Sequence, residues 1–197
     1  MSGEAEFKRS SSSGKKAHQH KGKFTEGLLD SERILKALNI KAGQKILDAG
    51  CGNGYMSKLF SKEVAPSGKV YALDSNTHFI ETLKKEVKGT NIATIEGDIT
   101  TPTTLDASSI DLIYLSTVFH VFSEHQRQGF LQEIKRLLKP NAYLAIVEIE
   151  KKETPFGPPL NSRYSPEDLK KIVPLVPVNT VQVGEHFYMQ IFQNMTG

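Results

Sequence analysis

The stretch Lys45-Ile46-Leu47-Asp48-Ala49-Gly50-Cys51-Gly52-Asn53-Gly54 puts an acid near the end of an apolar run and then three glycines at alternate positions. Glycines in such a turn let backbone N–H groups close on a ligand, because no Cβ blocks the approach and positive φ is allowed. Two more acids follow apolar runs downstream: Asp74 closes residues 69–74, twenty residues after Gly54, and Asp98 follows Gly97. A carboxylate at that distance from a glycine turn is where a βαβ nucleotide site holds the ribose hydroxyls. Asp74 and Asp98 also fit a plainer role, as caps of their own loops. His120 lies just past a fourth apolar run and can exchange a proton near neutral pH, or can only shape the site. Together these residues suggest binding of a nucleoside.

Such a site needs strands that end at the acids and helices that return the chain. Residues 45–49, 69–74, 91–96, 110–115 and 143–149 read as short buried strands. Met56, Leu59 and Phe60 have helical spacing after the glycines, so strand, turn and helix follow one another there. A first helix capped by Asp30 or Ser31 buries Ile34, Leu35 and Leu38. Residues 77–87 form a helix with Ile80, Leu83 and Val87 inward. Ser123-Glu124-His125-Gln126 is a capping box opening a helix that buries Phe130, Leu131, Ile134, Leu137 and Leu138 and ends in a turn at Lys139-Pro140-Asn141. Ser165-Pro166 starts a last helix. Residues 178–183 and 186–192 flank Gly184-Glu185 as a hairpin. Alternating strands and helices predict an α/β fold with a doubly wound, mostly parallel sheet.

The motifs at residues 47–54, Leu73-Asp74, Gly97-Asp98 and Leu137-Leu138-Lys139-Pro140 resemble, in this order, those of the class I S-adenosylmethionine-dependent methyltransferases. Within that family the chain is similar to the small-molecule branch with the ubiquinone-biosynthesis-type (type 11) and arsenite-type enzymes. The resemblance implies a Rossmann-like, seven-stranded sheet with a C-terminal antiparallel hairpin, and S-adenosyl-L-methionine as cofactor. Carried over by position, it puts the cofactor's carboxylate on N–H groups at the glycine turn, beside Cys51 and Gly52. Its ammonium goes to carbonyls near Gly50 and Ser116, with Asp48 supporting the turn. The ribose goes to Asp74 next to Ser75, and the adenine to Asp98 and the N–H of Ile99. His120 is the candidate catalytic base. Arsenite-type chemistry needs several thiolates, and Cys51 is the lone cysteine. Cys51 has no base beside it in sequence and reads as a small packing residue.

The 197 residues suit one domain over residues 25–197, preceded by a disordered basic tail over residues 1–24. Six basic and two acidic residues give that tail +4 of a formal net charge of +3, leaving the body near −1. A body that tracks nucleic-acid phosphates needs a basic face, so a nucleic-acid partner is disfavoured and a small-molecule acceptor expected. The family resemblance suggests that residues 20–24 fold over the cofactor as a lid. His18-Gln19-His20 has no carboxylate or thiol close in sequence, so no metal is expected. One cysteine, no apolar run of membrane length and no signal-peptide core point to a cytoplasmic protein without a membrane partner. Phe156-Gly157-Pro158-Pro159-Leu160 either walls an acceptor pocket or is a rigid connector. Three other readings stand beside methyl transfer to a small molecule. They are RNA or protein methylation tethered by the tail, a nicotinamide-dependent oxidoreductase, and a binding module without turnover.

Overall fold

The computed structural model describes residues 26–195, so the expected tail and the lid within it lie outside the described residues. The elements run α1 (Ser31–Leu38), β1 (Lys45–Ala49), α2 (Tyr55–Val64), β2 (Lys69–Asp74), α3 (Thr77–Glu86), β3 (Ile92–Glu96), β4 (Ile110–Ser116), α4 (Glu124–Leu137), β5 (Leu138–Ile149), α5 (Pro166–Ile172), β6 (Val176–Gly184) and β7 (Phe187–Gln193). Single 3-10 turns cover Phe119–Val121 and Leu160–Ser162. The seven strands make one sheet in the order β3-β2-β1-β4-β5-β7-β6. The first five pair in parallel, and β7 runs antiparallel to both β5 and β6. This is the expected doubly wound sheet with its terminal hairpin.

Strands β1, β4 and β5 are mostly apolar on both sides because they are covered on both faces. One face packs Ile46, Val70, Ala72 and Leu112 against Ile34 of α1, Phe60 and Val64 of α2, and Ile80 and Leu83 of α3. The other packs Leu47, Ile113, Leu115 and Ile146 against Phe130, Ile134 and Leu137 of α4 and Leu169 of α5. Asp30 caps α1 through a bond from Arg33 N. Ser123 and Gln126 form the capping box of α4, and Ser165 with Asp168 forms a second one at α5. Each cap satisfies N–H groups that a helix start leaves open.

Several boundaries differ from the sequence reading by a residue or two, and two of the differences have a clear cause. The turn expected at 139–141 is instead the irregular start of β5, which already pairs Leu138 with Ile110 before the register shifts. Asn141 takes a positive φ there, and Asn194, just past β7, holds the bulge by donating its side-chain amide to the carbonyls of Leu138 and Lys139. The hairpin link is Glu185-His186, one residue later than expected, since Gly184 still pairs with Phe187.

Helix α4 sits tightly on the loop that follows β3. A Cβ on Gly129 would run into the Thr100 carbonyl oxygen. Glu133 reinforces the contact: its Oε1 accepts bonds of 2.8 Å from both the N–H and the hydroxyl of Thr103. Gly129→Ala is therefore expected to lower the unfolding free energy by about 1–3 kcal/mol. Urea denaturation checks it, and a variant as stable as the parent would contradict the packing described.

Candidate active site

The C-terminal ends of β1, β2, β3 and β4 open on one side of the sheet, where the strand order reverses between β1 and β4. The turn after β1 is fixed by the backbone: the N–H groups of Gly50 and Cys51 both donate to Leu73 O, at 2.7 and 3.0 Å. Gly50 has φ 73°, and a Cβ on it would come 2.7 Å from Val118 Cγ2. So this position needs a glycine both for its conformation and for the approach of the chain leaving β4.

Asp74, the last residue of β2, takes Gly52 N on Oδ2 at 2.9 Å and Asn76 N on Oδ1 at 2.8 Å. An ionised carboxylate has about four acceptor positions, so two stay open after these bonds. Asp98 uses Oδ1 for the N–H and hydroxyl of Thr100, at 2.8 and 2.7 Å. No described residue donates to its Oδ2. Both acids line the same cleft of about 530 Å³, with Ser75, Asn76, Phe79, Ile99, Val118, Val121, Phe122 and Gln126. Each acid thus caps its own loop and lines the cleft at once.

A second recess of about 170 Å³ adjoins the cleft and shares Gly50, Phe79 and Val118 with it. Its walls include Glu26, Asp48, Cys51, Gly52, Asn53, Tyr114 and Ser116. Asp48 pairs in register with Tyr114 across β1 and β4, and its Oδ2 accepts the Ser57 hydroxyl at 2.5 Å. Burial raises the Asp48 carboxyl to about 7; the Ser57 bond opposes this and the Asp74 charge adds to it. Burial, then the charges of Asp48 and Asp74, push the Cys51 thiol up, so it stays protonated and serves as wall rather than nucleophile. The Tyr114 hydroxyl and Ser116 Oγ are shut off from solvent, and neither makes a well-formed hydrogen bond within the described residues.

The groove therefore fits a nucleoside with a charged arm. The larger cleft offers open carboxylate positions among apolar walls, and the recess offers the glycine turn and Asp48. Among the described residues, no cluster of three or more His, Cys, Asp or Glu could hold a metal ion, and no helix is long and apolar enough to cross a membrane.

His120 is placed differently from the other candidates. Its neighbours Val118, Val121 and Phe122 line the cleft, but its own ring turns towards β5, where Nδ1 lies 2.7 Å from Glu148 Oε2. Glu148 was not among the sequence candidates. The signal was there: a carboxylate inside Ala145-Ile146-Val147-Glu148-Ile149 is a charge in a fully buried run. Phe79, Asn76 and Val118 were missed because their role arises only once three strand ends meet.

Residues 46–141 match the family model described as a methyltransferase domain. A demethylmenaquinone methyltransferase of Lactobacillus johnsonii is 30% identical over 129 residues, covering 64% of this chain and 52% of that protein. The chain spans about half the length of the curated relatives it matches first. A crystal structure of a SAM-dependent methyltransferase from Aquifex aeolicus is 30% identical, with a TM-score of 0.77 over 86% of this chain and 92% of that one. The fold is also that of a 1,6-didemethyltoxoflavin-N1-methyltransferase from Burkholderia thailandensis, at 18% identity and a TM-score of 0.65 over 85% of this chain and 77% of that one.

The raised Asp48 carboxyl has a measurable signature. In the unfolded chain it titrates near its ordinary value of 3.8, in the fold near 7. Between those values the folded state holds the extra proton, so this group's contribution to stability falls as pH rises from about 4 to about 7. Asp48→Asn removes the penalty. Its melting temperature relative to the parent should rise between pH 5 and pH 8 in thermal scans, and a difference that stays flat across that range would refute the raised value.

Proposed function

The chain belongs to the class I S-adenosylmethionine-dependent methyltransferases, and on that premise we propose that it moves a methyl group from S-adenosylmethionine to a small-molecule acceptor. The observation that carries this reading is the single groove in which Asp74 and Asp98 face one chamber while Asp48 and the glycine turn face the next. When bound, the cofactor supplies a methyl group on a sulfonium, so the leaving group comes with it. The protein's share of the work is to bind, align and exclude water.

Asp74 accepts the ribose hydroxyls through its two open positions, with Ser75 beside it on the cleft wall. Asp98 accepts the adenine amino group on Oδ2, and the N–H of Ile99 donates to a ring nitrogen. Val118, Val121 and Phe122 give the base an apolar bed. The recess takes the amino-acid arm: its carboxylate lies at the N–H groups of the turn around Cys51 and Gly52, and its ammonium near the carbonyls of Gly50 and Ser116. Asp48 supports the turn from below and offsets the ammonium's charge. This places the reacting end against the end of β4, from which the chain runs on to His120. His120 takes the acceptor's proton.

A small acceptor is favoured by the chain's charge, because the body without residues 1–24 is near −1 and a body that tracks RNA phosphates needs an excess of basic groups. The curated relatives named as demethylmenaquinone methyltransferases point the same way. Membership of the methyltransferase family leaves nicotinamide chemistry without support.

Calorimetry with S-adenosylhomocysteine tests the cofactor site. Saturable heat is expected, and Asp74→Ala should weaken binding about 10–100-fold, since it removes charge-assisted hydrogen bonds. Incubation with methyl-labelled cofactor and separate metabolite, RNA and protein fractions tests the acceptor. Label is expected in the metabolite fraction, and label confined to RNA or protein would overturn the small-molecule reading.

A further inference from the structure

Glu148 is fully buried in the apolar run that ends β5, one residue before its last, where a carboxylate is costly without partners. Among the described residues, the hydrogen bonds to it come from one residue: His120 N donates to Oε1 at 3.3 Å, and His120 Nδ1 lies 2.7 Å from Oε2. The other polar groups near the pair are committed elsewhere. Tyr188, opposite Glu148 on β7, donates its hydroxyl to Tyr164 O at 2.7 Å. Arg127 of α4 bonds the Tyr164 hydroxyl and pairs with Glu124. The carboxylate is therefore served by whatever proton His120 offers at Nδ1.

We propose that Glu148 is a positioning residue that keeps a proton on His120 Nδ1 and so makes Nε2 the base, and that the acceptor is a molecule whose nucleophilic atom carries a dissociable proton. This rests on the methyl-transfer reading. An ionised carboxylate can only accept, so a neutral imidazole facing it carries its hydrogen on Nδ1. Nε2 is then the nitrogen with a free lone pair, and no described residue is bonded to it. Glu148 also grips the backbone N–H of the same residue, so ring and main chain are held from one point. The segment so anchored is the one whose Val118, Val121 and Phe122 line the cofactor cleft.

The step balances with the groups present. The acceptor's X–H proton passes to Nε2, leaving an imidazolium against the Glu148 carboxylate. The freed electron pair on X forms the bond to the methyl carbon, and the pair of the broken carbon–sulfur bond stays on sulfur. The proton then leaves Nε2 to water. An acceptor without a proton on its nucleophile, such as a tertiary amine or a thioether, gains nothing from this arrangement.

The arrangement of Glu148 makes its amide variant informative. In Glu148→Gln the side-chain oxygen must face the His120 N–H, which can only donate, so the NH₂ faces the ring and Nδ1 becomes the acceptor. The hydrogen moves to Nε2. Nitrogen-15 NMR of histidine-labelled protein, with the His120 signals assigned by their loss in His120→Gln, reads this directly. The parent's neutral ring should carry its hydrogen on Nδ1, and Glu148→Gln should carry it on Nε2. A parent ring protonated at Nε2 overturns the proposal, and this arm holds even if the variant does not fold. With a labelled acceptor in hand, Glu148→Gln and His120→Gln should each lower kcat about 10²–10⁴-fold. Their losses should not add in the double variant, and S-adenosylhomocysteine affinity should be unchanged in all of them. Additive losses, or weakened binding without loss of kcat, would make the contact merely structural. Failure of the parent to bind S-adenosylhomocysteine would instead refute the methyl-transfer reading, leaving the tautomer result to decide the Glu148–His120 pair alone.

Discussion

The carbonyl of Leu73 accepts two backbone N–H groups, from Gly50 and Cys51, and the site is built outward from that junction. It ties the turn after β1 to the end of β2 one residue before Asp74. The next link is Asp74 itself, whose carboxylate takes Gly52 N and Asn76 N, so one side chain pins the glycine turn and the start of α3 together. Gly50 then lets Val118 close down from the far side. Strand ends from three parts of the chain are thereby held in one groove by short, mostly backbone contacts, which leave side-chain acceptors facing inward. A site held this way needs little rearrangement to receive a ligand.

The electrostatics follow the same logic of placing acceptors first. Asp48, Asp74 and Asp98 face the joined cavities without a cationic side chain on their walls. The most buried of them, Asp48, has its carboxyl raised to about 7, first by burial and then by the Asp74 charge. A cation brought beside it would reverse that preference, because an opposite charge nearby favours the ionised form. On the other side of the β4 loop, Glu148 meets the His120 ring where Asp48 meets the Ser57 hydroxyl, so these two buried acids have different partners.

What the sequence disclosed, and what it did not, has a physical pattern. Strand ends marked by Asp48, Asp74 and Asp98 were legible because local spacing sets them, and the capping box at Ser123-Gln126 for the same reason. The start of β5 was not, because the Asn194 amide that holds Leu138 and Lys139 comes from more than fifty residues away. The His120 partner was hidden likewise: the two residues are 28 apart, and a lone acid in an apolar strand announces burial without saying what compensates it. Val118 and Phe79 entered the site only through the packing of separate loops. Local signals located the groove, while the compensation of buried charge was a matter of tertiary contact.

The order of the sheet bears on how the molecule is made. Strand β7 lies between β5 and β6, with seven residue pairs joining it to β5 from Tyr143↔Gln193 to Ile149↔Phe187. During synthesis, β5 leaves the ribosome tunnel well before its outer neighbour exists, and its edge waits with unpaired amides and the buried charge of Glu148 not yet enclosed. A nascent chain stalled before residue 187 would carry an assembled nucleoside groove next to an open, adhesive flank. Chaperones that shield strand edges would matter most in that interval, and least once the final strand has slid into place.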